Sequence, residues 1–162
     1  MGSIAPNNNY KKVILKNISE EFGQTFSHEY WYSQFAKEFD VDIDKEILDE
    51  SCNFEWIQKY NNSHIQFILT KPFEQVWAIF GAYEILDNTD YDNLYEFTKN
   101  LGCSKQGLVF FEIHRKAGHY ETVSPLLQEI WDKDPEAVKL GFEFIFEHQL
   151  QMWERLNSSL ME

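Results

Sequence analysis

Basic residues are scarce in this chain. Lysine and arginine together number 14 against 27 aspartates and glutamates, which gives a formal net charge of -13 over 162 residues. Nucleic acids and anionic membrane surfaces attract proteins that present clustered lysine and arginine. The charge balance therefore argues against both classes of partner, and we predict neither a nucleic-acid nor a membrane partner.

Cysteine is also scarce, and long apolar runs are missing. Cys52 and Cys103 lack the CxxC spacing of redox and zinc motifs, which is typical of ordinary thiols in a reducing compartment. No stretch reaches the roughly 18 apolar residues of a membrane-spanning helix. The N-terminal sequence "MGSIAPNNNYKK" has no apolar segment of the signal-peptide type. We therefore expect a cytoplasmic protein.

Proline and glycine are few, at 4 and 7 residues, so little interrupts regular structure. Apolar residues recur every three or four positions, which is typical of amphipathic helices, and no alternating strand pattern of useful length is present. We predict one all-α domain over residues 1–162, with residues 1–9 disordered and about five to seven helices. The predicted helices cover residues 10–39, 54–69, 71–87, 91–101, 106–123 and 135–156.

Several local signals fix where these helices begin and end. Thr70 before Pro72 and Asp134 before Pro135 are capping signals for two of the helix starts. The stretch "DNTDYDN" after the third helix predicts a loop or a new helix start, and Ser124–Pro125 predicts a break. The acidic connector "DVDIDKEILDES" holds at most a short helix.

Three of the predicted helices place acidic or histidine residues on stripes that are otherwise apolar. Glu21 and His28 lie in the middle of such a stripe on the first helix, Glu84 lies on the third, and His114 and Glu121 share a face of the fourth. The apolar members of these stripes are Ile14, Ile18, Tyr32, Phe35 and Phe39, then Phe73, Trp77 and Phe80, and finally Phe110 and Ala117.

A buried carboxylate costs several kcal/mol unless it is paired or bound to a cation. The five groups can pair with one another in a structural polar network, or they can bind metal. Carboxylates with imidazole suit iron or manganese better than zinc, and such ligands line di-iron and di-manganese bundles. Along one helix Glu21 and His28 would be separated by about 10.5 Å. That distance suits a pair of ions about 4 Å apart better than a single ion.

Four stretches resemble motifs of the haem-oxygenase-like di-iron oxidase superfamily. They occur in the family's order between Asn17 and Leu156, and they are "NISEEFGQTFSHEYWYSQF", "GAYEIL", "FFEIHRKAGHYETV" and "GFEFIFEHQLQMWERL". The resemblance implies a haem-oxygenase-like helical bundle. It also implies metal ligation by Glu21, His28, Glu84 and His114.

Two ligand positions depart from the pattern of the resembling family. Gly118 stands where the motif has an aspartate, and Glu121, which still offers a carboxylate, stands where it has its last histidine. His119 lies about 100° around the helix from Gly118 and reaches the site only if the helix bulges there. The chain also begins close to the first ligand helix, so we expect a bundle that lacks the family's usual N-terminal helices and forms a homodimer.

The resemblance further implies a non-haem oxidase or oxygenase that activates O2 at two iron ions, or at one, with manganese as the alternative metal. Its substrate would be a small metabolite of the amino-acid or fatty-acid class. Arg115 and Lys116 are candidates for meeting a substrate carboxylate, and the candidate pocket residues are Phe80, Phe110 and Phe111.

Other functions remain open at the level of the sequence. The two altered ligand positions favour a non-catalytic binding or interaction module with a degenerate metal site. A third class is a cofactor-free or haem-binding relative of the same fold. Haem would need His28 or His114 as an axial ligand and basic groups for the propionates, which the acidic composition disfavours. A cysteine nucleophile is disfavoured because both cysteines fall near helix ends or loops.

Overall fold

The computed structural model describes residues 1–48 and 54–159, and every regular element within these ranges is a helix. The all-α prediction is confirmed, although breaks in the predicted long helices raise the number of helices to eight in the described ranges. Cys52 lies outside the described residues. The helices are α1 (Asn8–Phe22), α2 (His28–Lys37), α3 (Ile43–Leu48), α4 (Glu55–Thr70), α5 (Phe73–Asn100), α6 (Val109–Lys116), α7 (His119–Trp131) and α8 (Pro135–Ser159).

The core is organised around α5, whose residues Val76, Trp77 and Ala78 are fully enclosed. One apolar cluster joins α5 to α1, α7 and α8, and a second joins it to α4 and α8. Gly141 of α8 faces α5, and a Cβ built on this glycine would lie 2.5 Å from the Cβ of Ala78. The two longest helices therefore approach each other closely because one of them lacks a side chain at the crossing.

The prediction of one helix over residues 10–39 is wrong, because a five-residue turn separates α1 from α2. Gly23 begins this turn with a φ of 62°, and a Cβ there would collide with the carbonyl oxygen of Phe26. Glycine is the residue that tolerates both conditions. Ser27 ends the turn and caps α2, since its Oγ accepts a 3.1 Å hydrogen bond from the Tyr30 amide.

The predicted end of the third helix near Asp87 is also wrong, because α5 continues to Asn100. The polar stretch that suggested a loop is amphipathic: Asn88 is exposed, whereas Asp87 and Tyr91 are partly buried. Thr70 does not cap α5. It ends α4, where its Oγ1 donates a 2.6 Å hydrogen bond to the carbonyl of Gln66.

The break in the fourth predicted helix falls at residues 117–118 rather than at Ser124–Pro125, and α7 runs through the proline. A proline removes one helix hydrogen bond without necessarily ending the helix. The predicted cap of the last helix is confirmed, because the Ala137 amide donates to Asp134 Oδ1 at 3.1 Å and Pro135 is the first residue of α8.

The first nine residues, for which the sequence predicts disorder, pack against the bundle. Met1 contacts both apolar clusters, and Ala5 is buried in one of them. Asn7 caps α1, since its Oδ1 accepts a 2.9 Å hydrogen bond from the amide of Asn9. The N-terminal segment therefore helps to close one end of the core.

In the described ranges, no helix combines the length and the hydrophobicity that crossing a membrane requires.

Candidate metal site

Three of the predicted ligands converge at one point of the structure. Glu21 lies at the end of α1, His28 is the first residue of α2, and His114 lies on α6. One ligand atom from each side chain lies within 4.8 Å of those from the other two. The two imidazole rings meet edge to face, with their centroids 4.6 Å apart. We call Glu21, His28 and His114 the ligand triad.

The turn between α1 and α2 creates this convergence. The expected separation of Glu21 and His28 by about 10.5 Å assumes a continuous helix, and the turn at Gly23 removes that assumption. Glu21 Oε2 lies 2.9 Å from His28 Nδ1 in the folded chain. These two residues can therefore bind the same ion, which a straight helix would not allow.

The burial of the triad differs from the predicted dry stripe. His28 is 8% exposed, whereas the side chain of Glu21 is 47% exposed. The triad therefore has a buried imidazole at its floor and a carboxylate that faces the solvent side. A carboxylate at this edge loses little hydration, and it needs no compensating charge on the ground of burial alone.

The donor atoms of the triad fit a metal ion. Although Glu21 Oε2 is near, its direction does not make a hydrogen bond, and the buried Nδ1 of His28 has no hydrogen-bond partner in the part of the chain that the structure describes. Buried polar atoms are seldom left without a partner. A cation between the carboxylate and the imidazole would satisfy both groups.

The orientation of His114 also suits metal binding. Its Nδ1 donates a 2.8 Å hydrogen bond to the carbonyl of Phe110, which leaves the lone pair on Nε2. Burial lowers the pKa of His114, so the ring is neutral near pH 7. Tyr91 stacks on the same ring at a centroid distance of 4.4 Å and fixes its plane.

A second polar group lies around His119, beside the triad. His119 Nδ1 is 3.4 Å from Glu84 Oε2, and its Nε2 is 3.4 Å from Glu20 Oε2. The hydrogen bond to Glu84 raises the pKa of His119, against the opposing effect of burial. The sequence predicts that His119 reaches the site only if the helix bulges at Gly118. The chain instead breaks completely before α7, and His119 lies beside the triad without belonging to it.

Glu84 is 7% exposed and occupies the buried face of α5, as its stripe predicts. Its partner is His119 rather than a member of the triad. Both polar groups are nevertheless close enough to interact electrostatically, since Glu21, His28 and His119 all influence the ionisation of His114.

Asp87, which the stripe pattern does not select, is a titratable neighbour of these groups. It follows Glu84 by one helical turn, and burial together with the neighbouring Glu84 carboxylate raises the pKa of Asp87 to about 7. The sequence does contain a pattern that places Asp87 beside Glu84, because Glu84, Asp87 and Tyr91 have the three-and-four spacing of one helix face. The stretch "DNTDYDN", which begins at Asp87, has the polar composition of a loop or a new helix start, and this composition hides the helical spacing.

Glu121 does not join these groups. It lies in the first turn of α7 and is exposed, so the predicted stripe that it shares with His114 is wrong. The stripe assumed one helix across residues 110–121, and the break at Gly118 changes the direction of the chain between the two residues.

An open cleft of about 610 Å³ borders the triad. Its lining residues come from α1, α2, α3 and α6, and they are Glu21, His28, Glu29, Tyr32, Ile43, Glu46, Ile47, Phe110 and His114. The predicted pocket residue Phe110 lies in this wall. Phe111 is buried in the core, and Phe80 packs against the cluster around Trp77.

The two predicted substrate cations lie elsewhere. Arg115 extends over the ring of Tyr95, 4.2 Å from its centroid, and Arg115 Nε is 3.6 Å from Asp92 Oδ1. Lys116 pairs with Glu112 at 2.5 Å on the surface of α6. Neither side chain lines the cleft beside the triad.

The fold and the site together define an all-α protein with a cluster of two histidines and a glutamate beside an open cleft. A family model described as iron-containing redox enzyme matches residues 1–149, so the chain belongs to this family within the haem-oxygenase-like superfamily. Neither the curated proteins nor the solved structures yield a significant match. The family implies iron and an oxidoreductase activity.

Proposed function

We propose that this protein is a non-haem iron oxidase or oxygenase that binds iron through the ligand triad and activates O2 to oxidise a small metabolite. The observation that supports the proposal is the convergence of Glu21, His28 and His114 from three helices, with their ligand atoms within 4.8 Å. Two histidines and one carboxylate are a typical ligand set for ferrous iron in O2-dependent enzymes, because open positions remain on the metal.

The three residues would have different tasks. Glu21 would supply the negative charge that favours a divalent cation, and His28 would supply the buried nitrogen that otherwise has no partner in the described ranges. His114 is oriented by the carbonyl of Phe110 and would present Nε2. Iron, when bound, would activate O2 by giving it electrons, and the oxidised substrate would supply the remaining electrons; the chain would supply position, charge and access through the cleft.

A second ion, which the sequence analysis expects, would use the group around His119. Glu84 and His119 are already in contact at 3.4 Å, and Asp87 lies one turn further along α5. Asp87 would then contribute the carboxylate that Gly118 cannot supply. Manganese has the same preference for carboxylate and imidazole ligands, so it is the alternative metal.

The non-catalytic binding module is the second candidate. It is favoured by the contacts of His119, whose two nitrogens each face a carboxylate, so this part of the site is balanced without a metal. Iron binding that is followed by no optical change on exposure to O2 would support the non-catalytic binding module.

Metal content tests the proposal. We expect about one iron per chain, or two if the second group also binds, after anaerobic loading with ferrous iron and desalting, followed by an optical change on exposure to O2. His114→Ala should lose the iron of the triad. The matched control is His148→Ala, because His148 makes the same bond, at 2.7 Å, to the carbonyl four residues before it, on α8. Equal iron in the wild type and His114→Ala, or none in either, would overturn the proposal.

Dimer formation is a further proposal carried over from the sequence. Leu15, Ile18 and Phe22 are 65%, 45% and 72% exposed on the outer face of α1. An apolar stripe of this kind favours an interface. Sedimentation of the wild type and of Leu15→Glu tests it, since a dimer that uses this stripe should dissociate in the variant.

A further inference from the structure

We propose that the cleft beside the ligand triad binds an organic cation with an apolar body, such as an alkylammonium compound. This inference rests on the proposed function, because the triad forms the inner end of the cleft and a bound ligand would lie next to the iron. It extends that function by assigning the charge of the substrate and the residues that recognise it.

The charge of the cleft is the first argument. Three of its nine lining residues are glutamates, and none is lysine or arginine. Glu21 belongs to the triad, but Glu29 and Glu46 do not, and neither forms an ion pair with a basic side chain in the described part of the chain. Ferrous iron held by Glu21 and two neutral imidazoles would leave about one positive charge at the triad, and the two carboxylates of Glu29 and Glu46 would outweigh it, so the cleft would still attract a cation.

The walls of the cleft are the second argument. Tyr32 and Phe110 lie on one side with their ring centroids 5.1 Å apart, and Ile43 and Ile47 of α3 lie on the other. Aromatic faces attract cations, and the isoleucines offer an apolar surface for the remainder of the ligand. The cleft is large enough for a small metabolite at about 610 Å³.

The inner end of the cleft is the candidate metal site itself, so a ligand in the cleft would lie beside the bound iron. His28 lines the cleft and is 8% exposed, and its Nδ1 has no hydrogen-bond partner within the described ranges. This is the only part of the cleft where a buried polar atom is unsatisfied among the described residues. Glu29 is exposed and Glu46 is partly buried, so both carboxylates are accessible to a ligand that enters the cleft.

A ligand with a carboxylate group would find no basic side chain in the lining of the cleft. The basic residues nearest in sequence to His114 are Arg115 and Lys116, and both are engaged with acidic partners outside the cleft. The net charge of -13 adds a long-range attraction for cations and a repulsion for anions. The fatty-acid class expected from the resemblance is therefore disfavoured at this cleft.

Calorimetric titration of the anaerobic iron-loaded protein and of the metal-free protein tests the inference. The probes are hexyltrimethylammonium, hexanol and hexanoate, which share one alkyl chain. The quaternary nitrogen has no lone pair and cannot coordinate iron, so its binding reports on the cleft alone. We expect the ammonium compound to bind at least about tenfold more tightly than hexanoate at low salt, with the difference shrinking as salt rises.

Variants assign the effect to the two carboxylates. Glu29→Gln and Glu46→Gln should each weaken ammonium binding by about threefold, and the double variant by about tenfold. Glu147→Gln is the matched control, because Glu147 is exposed on α8 and the substitution changes the net charge equally. Iron content should stay unchanged in all of these variants.

The outcomes separate the two proposals. Iron binding without a preference for the ammonium probe, or an equal loss in Glu147→Gln, would overturn the assignment of the cleft and leave the oxidase proposal intact. If the protein binds no iron but still prefers the ammonium probe to hexanoate, the oxidase proposal would be overturned and the cleft would still be a cation site.

Discussion

The close approach of α8 to α5 at Gly141 leads to a specific prediction about the Gly141→Ala variant. Replacing a glycine by alanine inside a helix ordinarily stabilises a protein by roughly 0.5–1 kcal/mol, because the unfolded chain loses freedom. In Gly141→Ala the new Cβ would lie 2.5 Å from the Cβ of Ala78, 2.8 Å from the Gln75 carbonyl oxygen and 3.1 Å from the Ile79 amide nitrogen.

Ordinary contacts between carbon atoms are about 3.5–4.0 Å long, so the new methyl group falls short of a normal contact by about 1 Å. Two of its neighbours are backbone atoms of α5, which cannot rotate away, and the helices must separate. Overpacking of this kind costs about 1–3 kcal/mol. After subtraction of the gain in helix propensity, we expect a net loss of about 1–2 kcal/mol in the free energy of unfolding.

Urea unfolding followed by helical circular dichroism measures this loss. Gly81→Ala is the matched comparison. Gly81 is also a buried helical glycine, on α5, and its new Cβ would meet Leu127 Cδ2 at 2.9 Å. That atom is the end of a flexible side chain, so Gly81→Ala should lower the free energy of unfolding by less than Gly141→Ala does. The reasoning about the helix crossing would be wrong if Gly141→Ala were as stable as the wild type, or at least as stable as Gly81→Ala.

Three further predictions concern the turns and caps. Gly23→Ala should destabilise the protein by about 1–2 kcal/mol and reduce retained iron, measured by metal analysis, because it disturbs the turn that joins Glu21 to His28. Asp134→Ala should lower the free energy of unfolding by about 1 kcal/mol, because α8 loses its N-terminal cap. Asp134→Asn should keep most of the wild-type stability, because asparagine can also cap the helix. Ser104 lowers the pKa of Glu38 from 4.5, so the stability from Glu38 is lost as the pH falls below 4.5, and Glu38→Gln should flatten the acid unfolding curve there.

The sequence by itself determined the class of fold and proposed the candidate ligands. Apolar spacing predicts helices throughout, and the start of α8 at Asp134 and Pro135 follows from capping chemistry within a few residues. The rule that acidic and histidine residues on an apolar stripe need an explanation selected Glu21, His28, Glu84, His114 and Glu121, and three of these five residues meet in the structure. All of these statements depend on interactions between residues close in the chain, which the sequence shows directly.

Only the tertiary structure decided which of these residues meet. A glycine turn brings Glu21 to His28, and a break at Gly118 brings His119 to Glu84 and turns Glu121 towards solvent. Periodicity assumes that a helix continues, so it cannot place side chains across a break whose position is set by packing between distant segments. The cleft beside the triad is lined by residues of four helices, and the distances between these helices are fixed by the core and not by any local pattern.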